Sequence, residues 1–170
     1  IAVVHAFACI VPAALGFAQR EGGVSGKALI AAVALGLDVA IYIALAQRAP
    51  MRFFRPAMCG GLGATATLCK LAGMDAETLH DALGLAYSHL SGTMQAHSEG
   101  SPAVGLQVGL NARAAVTAFE LARAGFPDRG GGSGLNHMRE RMLMLGGTLS
   151  IASTPAGTVV TAVLDAEGRP

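Results

Sequence analysis

Apolar positions in this chain recur at helical spacing for most of its length. Residues 2–20 read as a first helix. Pro12 is expected to bend or divide it, since proline lacks an N–H and its ring clashes with the preceding turn. Glu21-Gly22-Gly23 marks a turn, and Ser25 is placed to cap a long helix running to about Gln47. Two prolines punctuate residues 48–58, which read as a loop. A small-residue helix follows from about Gly60 to Ala72, and its GGLGATAT run lets backbones approach closely. Gly73 ends that helix. Asp75 caps the next, whose Leu79, Leu83 and Ala86 fall on one face. Residues 92–101, GTMQAHSEGS, form a polar loop, and Pro102 opens a last long helix to about Ala124.

The pattern changes beyond Gly125-Phe126-Pro127-Asp128. RGGGSG is a glycine stretch, LNHMRERMLML a short amphipathic helix, and TLSIAS and TVVTAVLD are strands about a TPAG turn. The predicted fold class is mainly α. A helical bundle occupies residues 1–126, a glycine-rich junction 127–134, and a small helix plus β-hairpin 135–170.

Composition narrows the function classes. The chain has 170 residues, 52% hydrophobic and 14% charged, which excludes a disordered chain. Its formal charge is +1 and Trp is absent, so neither a basic footprint nor a stacking platform for nucleic acid is present. Cys9, Cys59 and Cys69 form no C-x-x-C pair and read as reduced, buried thiols of a cytoplasmic protein. The apolar start lacks a basic leader and is a poor signal peptide; it also lacks an initiator Met, so the chain is expected to be a piece of a longer protein. Residues 28–46, ALIAAVALGLDVAIYIALA, are long enough to span a bilayer. Gly36 and Asp38 weaken that reading, so a buried helix is expected, with a membrane-associated helical protein as the alternative.

Several ordered stretches resemble the helical domain of the MmgE/PrpD family, which includes 2-methylcitrate dehydratase, cis-aconitate decarboxylase and iminodisuccinate epimerase. They are HAFACIVPAALGFAQ, SGKALIAAVALGLDVA, FFRPAMCGGLGATATLCKLAGMDAETLHDALGLAYSHLSG and LQVGLNARAAVTAFELARAGF, within residues 5–126. The resemblance implies lyase or isomerase chemistry next to a carboxylate of a small acid, without a metal or other cofactor. It implies an active-site role for His5, which opens the first helix; the alternative is a histidine that packs there or faces water. Phe54 stands where better-known members carry a histidine in F-H-P. Val104 and Gln107 stand where they carry the lysine and histidine of K-x-L-H-x-G. The resemblance therefore points to a divergent site using Arg55, His97 and Gln107 beside His5. Arg55 would clamp a carboxylate and His97 lies in an inter-helix loop; the alternatives are a snorkelling arginine and a solvated loop. The family fold also has a second domain, so the site is expected to be incomplete and the chain inactive alone. Apolar faces left uncovered imply a homo-oligomer.

Residues 129–165 resemble the end of a sensor histidine kinase ATPase domain. The matching string runs Gly132-Ser133-Gly134-Leu135, Met138-Arg139-Glu140-Arg141, Leu145-Gly146-Gly147, then the strand pair. Gly132, Gly134 and Leu135 would face phosphates at a helix start. The asparagine for Mg2+ and the aspartate for adenine lie nowhere upstream in context, so ATP binding is not expected. A misplaced hairpin, packed on the bundle or partly disordered, is the favoured reading of this tail, and an ATP-binding remnant the alternative. The two resemblances meet at the G-F of residues 125–126, a pattern that suits a fused or misassembled reading frame.

Overall fold

The least apolar of the long helices lies at the centre. In the computed structural model, α3 (Arg55–Leu71) has thirteen buried residues, from Pro56 to Cys69. Around it pack α1 (Phe7–Arg20), α2 (Gly26–Ala46), α4 (Ala76–Ser88) and α6 (Ala103–Arg123), with a single turn, α5 (Gln95–Ser98), against α6. The structure describes residues 4–46, 53–127, 147–154 and 157–164.

Small side chains explain why α3 is innermost. A Cβ added at Gly63 would stand 2.5 Å from the Gly36 carbonyl oxygen of α2, and one at Gly36 would meet Thr67 Oγ1. The two backbones approach as closely as glycine allows. Thr67, fully buried, shares its single hydroxyl hydrogen between Gly63 O at 2.9 Å and Ala32 O across on α2 at 3.2 Å, and Thr65 donates to Gly61 O at 3.0 Å. The hydroxyls of an apparently polar run are thereby satisfied inside the core.

α2 is the counterpart, and here the expectation of a buried helix is corrected. Only Ala32, Gly36, Ala40 and Ala44 are fully buried, a row at four-residue spacing, with Val33 and Leu37 partly buried beside them. Ile30, Tyr42 and Leu45 are 72%, 73% and 61% exposed. Close packing against α3 selects the small residues of α2 for full burial and leaves large ones such as Ile30, Tyr42 and Leu45 outside. By length and composition α2 could cross a membrane.

The predicted caps form. Ser25 Oγ accepts from Ala28 N–H at 3.1 Å, and Asp75 Oδ1 from Thr78 N–H at 2.8 Å. Pro12 sits inside α1 without dividing it. α1 starts at Phe7, after His5, whose φ of 42° keeps it outside the helix it was expected to open. α3 starts at Arg55 rather than Gly60, because Pro56 occupies the first turn, where no N–H is needed. At the opposite ends of α1 and α6, Arg20 reaches Glu120 at 2.6 Å and Glu21 at 3.0 Å, and Arg123 reaches Glu21 at 2.9 Å. Phe17 and Phe119 meet edge to face beneath them at 5.7 Å.

The chain divides into two compact units, residues 1–128 and 129–170. The expected fold class, a bundle carrying a helix plus β-hairpin, is corrected to mainly α. Among the described residues of the first unit there are six helices and no strand, only an isolated bridge between Phe53 and Thr93. Close helix packing satisfies the backbone internally and leaves no sheet edge to extend. In the second unit Gly147–Thr154 and Gly157–Leu164 pair antiparallel. The short helix expected before them lies outside the described residues.

Candidate functional site

Three of the four bundle candidates gather around one residue, Phe54. Its N–H donates to Gly92 O at 3.1 Å, and the neighbouring Phe53 bridges Thr93. The start of α3 is thus tied to the loop between α4 and α5. His97 of α5 is exposed and stacks on the Phe54 ring, centroids 6.2 Å apart and planes 26° apart. Gln107 of α6 presses its Oε1 against Gly92; a Cβ at Gly92 would lie 2.5 Å from that atom. Gly92 has φ +114°, so both its conformation and its surroundings require glycine. Gln107 Oε1 is buried with no hydrogen-bond partner, an orphan acceptor next to this contact.

Arg55 follows Phe54 as the first residue of α3. It is half-buried and lines a cavity of about 370 Å3 with Phe53, Met58, Cys59, Leu62, Tyr87 and Leu90, closed on the other side by Ile43 and Ala46. Burial pushes the Cys59 thiol above its ordinary value, while the Arg55 charge pulls it the other way. His5, His97 and Gln107 do not line this cavity. The structure therefore brings His97 and Gln107 to the Ser91–Thr93 loop and sets Arg55 on the adjoining cavity, joined through Phe54.

His5 is exposed just ahead of α1. The first turn of that helix is pinned to the same end of the bundle by Cys9, whose Sγ lies 3.4 Å from Val108 O of α6 and 3.9 and 4.0 Å from Ala57 O and Pro56 O of α3. Burial raises Cys9 to about 11 and Cys69 to about 12, which keeps both as thiols at neutral pH. All three cysteines are free and buried, as their surroundings in the sequence suggested.

Sequence reasoning missed Asn111. It is 1% exposed, and its Nδ2 donates to Ser91 O at 2.9 Å and Gln107 O at 2.8 Å, while its Oδ1 accepts from Ser91 N–H at 3.4 Å. Asn111 fastens the loop that carries Gly92 to the helix that carries Gln107. An asparagine, a poor helix former, in the middle of a helix was the available signal. Gly132, Gly134 and Leu135 lie outside the described residues.

Residues 1–129 match the MmgE/PrpD N-terminal domain. The chain belongs to the MmgE/PrpD family. No curated protein and no solved structure gave a match. The match ends at the start of the glycine stretch, so the resemblance of residues 129–165 to a kinase ATPase domain finds no counterpart among the families. In this MmgE/PrpD domain the segments that carried the resemblance, around Phe54, Gly92 and Gln107, are those that meet in space.

Proposed function

We propose that this chain is part of an MmgE/PrpD-type lyase or isomerase that acts next to a carboxylate of a small carboxylic acid. Its own share is to hold the carboxylate. The observation that supports this is Arg55 at the mouth of α3, half-buried on a largely apolar cavity of about 370 Å3, a size suited to a small ligand. A guanidinium binds a carboxylate through two parallel hydrogen bonds, and an apolar wall strengthens the pairing by excluding water.

Removing a proton beside a carboxylate needs a base that titrates near neutrality, and donors that stabilise the developing negative charge. His97, stacked on Phe54, is of the residue type that takes such a proton. Gln107 orients but does not ionise. His5 stands ahead of α1 at the end where the starts of α1 and α3 meet α6. Phe54 and Gln107 in place of histidines leave the set short of a second base. Turnover then requires groups from outside this chain.

The test is a titration of isotope-labelled chain with succinate and with citrate, followed by NMR. The Arg55 side-chain Nε–H and the Phe54 and Gly92 amides are expected to shift and saturate, and Arg55→Met to abolish the response. Shifts that are absent, or that survive in Arg55→Met, would overturn the reading. The membrane reading has the exposed apolar face of α2 in its favour. It has Asp38, exposed at mid-helix, against it. The nucleotide reading rests on residues outside those described.

A further inference from the structure

The cavity beside Arg55 has one charged end and a long apolar wall. Arg55, Met58, Cys59 and Leu62 all line it, and they stand at positions i, i+3, i+4 and i+7 of α3. That spacing puts them in one stripe along a single face of the helix. From Arg55 to Leu62 the stripe covers about 10 Å of helical rise. Its charged end lies on the first turn of α3, and its far end, Leu62, is 7% exposed. Leu90 and, across the cavity, Ala46 of α2 complete the apolar part. Arg55 carries the one charge among the described residues that line the cavity. Burial keeps the Cys59 thiol protonated, so it adds no second one.

We propose that this cavity selects a monocarboxylic acid with an apolar tail, its carboxylate on Arg55 and its tail along Met58, Cys59 and Leu62. The inference rests on the carboxylate-holding reading of Arg55 and adds the substrate class. An extended carbon chain advances about 1.2 Å per bond, so roughly six to eight carbons follow the stripe to Leu62. The guanidinium fixes one carboxylate through two hydrogen bonds, and the start of a helix favours negative charge there. A second carboxylate drawn in behind the first would lie against Met58, Leu62 and Leu90, whose side chains donate no hydrogen bond. It would lose its water without replacement. A methylene in the same place loses nothing and gains by leaving water. Succinate, held by one carboxylate, keeps the other at the mouth and gains nothing from the wall. The wall that accepts a tail therefore discriminates against di- and tricarboxylates.

The test is an NMR titration of the labelled 170-residue chain with butanoate, hexanoate, octanoate, succinate and hexan-1-ol. Affinity is expected to rise about tenfold for each two methylenes added to the monoacid. Hexanoate should bind about tenfold or more tightly than succinate, which gains nothing from the wall. Hexan-1-ol, a tail without a carboxylate, should bind about tenfold or more weakly than hexanoate. The Arg55 Nε–H should shift with every acid, and the Leu62 and Leu90 methyls with the longer ones. Ala46 is exposed, so Ala46→Phe leaves the bundle packed while its ring enters the space of the tail. In that variant the affinities of butanoate and octanoate should draw together. Acids that shift Arg55 with an affinity independent of length, or succinate binding as tightly as hexanoate, would overturn this inference and leave the carboxylate reading standing. Length-dependent binding that hexan-1-ol matches, or that survives Arg55→Met, would overturn both, since the cavity then takes apolar molecules irrespective of charge. No shift with any acid also overturns both. A length dependence unaltered by Ala46→Phe would refute the path of the tail along α3.

Discussion

Gly63→Ala should destabilise the bundle although alanine is the better helix former. The new methyl would stand 2.5 Å from Gly36 O, 3.0 Å from Ile10 Cδ1 and 3.1 Å from Ala40 Cβ. The isoleucine can rotate away, but the carbonyl belongs to the α2 backbone. A carbon–oxygen contact relaxes at about 3.3 Å, so α2 must move out by about 0.8 Å. That movement also lengthens the Thr67–Ala32 hydrogen bond, now 3.2 Å. Alanine returns about 1 kcal/mol of helix propensity. Overpacking costs about 1–3 kcal/mol, and the weakened buried hydrogen bond about 1 kcal/mol more. The net is a loss of about 2 kcal/mol, or a Tm lower by about 4–8 °C for a chain of this length. Gly16→Ala is the control. Nothing lies within 4 Å of its added methyl, so propensity acts alone and stability should rise by up to about 1 kcal/mol. Thermal and urea unfolding followed at the helical circular-dichroism band measures both. A Gly63→Ala protein as stable as wild type would show that α2 and α3 do not cross at glycine contact.

Two further perturbations follow from side-chain geometry. Asn111→Ala orphans Ser91 O and the Ser91 N–H and should cost about 2–3 kcal/mol. Amide exchange at Ser91 and Gly92 should quicken more than in the rest of the bundle, and unchanged exchange there would refute its role as a brace. The hydrogen bond from the Thr78 backbone N–H holds the Asp75 carboxyl below its ordinary 3.8. A carboxylate depressed by folding contributes stability that is fully present above its unfolded value and lost as pH falls through the folded one. The Tm gap between wild type and Asp75→Ala should therefore be constant at neutral pH and narrow below 3.8, and a gap unaltered by acid would refute the charged cap.

Five of the six helices and both caps were legible because they depend on local chemistry, whereas α5 lies in residues 92–101, which read as a polar loop. Ser25 and Asp75 each accept from an N–H three residues on, whatever the rest of the chain does. Sidedness was not legible. Apolarity marks α2 as the helix to bury, yet packing density rather than hydropathy decides which helix is innermost. A row of Ala and Gly on α2 fits against Gly63 of α3, and Ile30, Tyr42 and Leu45 are left outside. The start of α3 could have been placed correctly. Pro56 reads as a loop signal next to Pro50, but a proline with a helical pattern behind it equally marks a first turn. His5 was misplaced for a different reason: a positive φ at a non-glycine residue has no signature in sequence.

The site was legible as residue types and illegible as an arrangement. Arginine, histidine and glutamine in place of the usual family residues are visible as letters. That His97 stacks on the ring of Phe54, the residue before Arg55, follows only from the pairing of Phe53-Phe54 with Gly92-Thr93, a contact across about forty residues. The substitution that removes a histidine at position 54 thus has a structural consequence besides the lost base. A phenyl ring there has no polar atom to offer a substrate, but it provides the surface on which His97 stacks. Phe54→His tests whether ring stacking or the missing imidazole matters more to the site. If stacking dominates, the His97 resonances and the carboxylate titration should stay close to wild type. If the imidazole dominates, Phe54→His should tighten carboxylate binding, because the new ring brings a hydrogen-bonding nitrogen next to Arg55. Unchanged affinity at every pH would leave Arg55 as the sole anchor and remove positions 54 and 97 from the binding site.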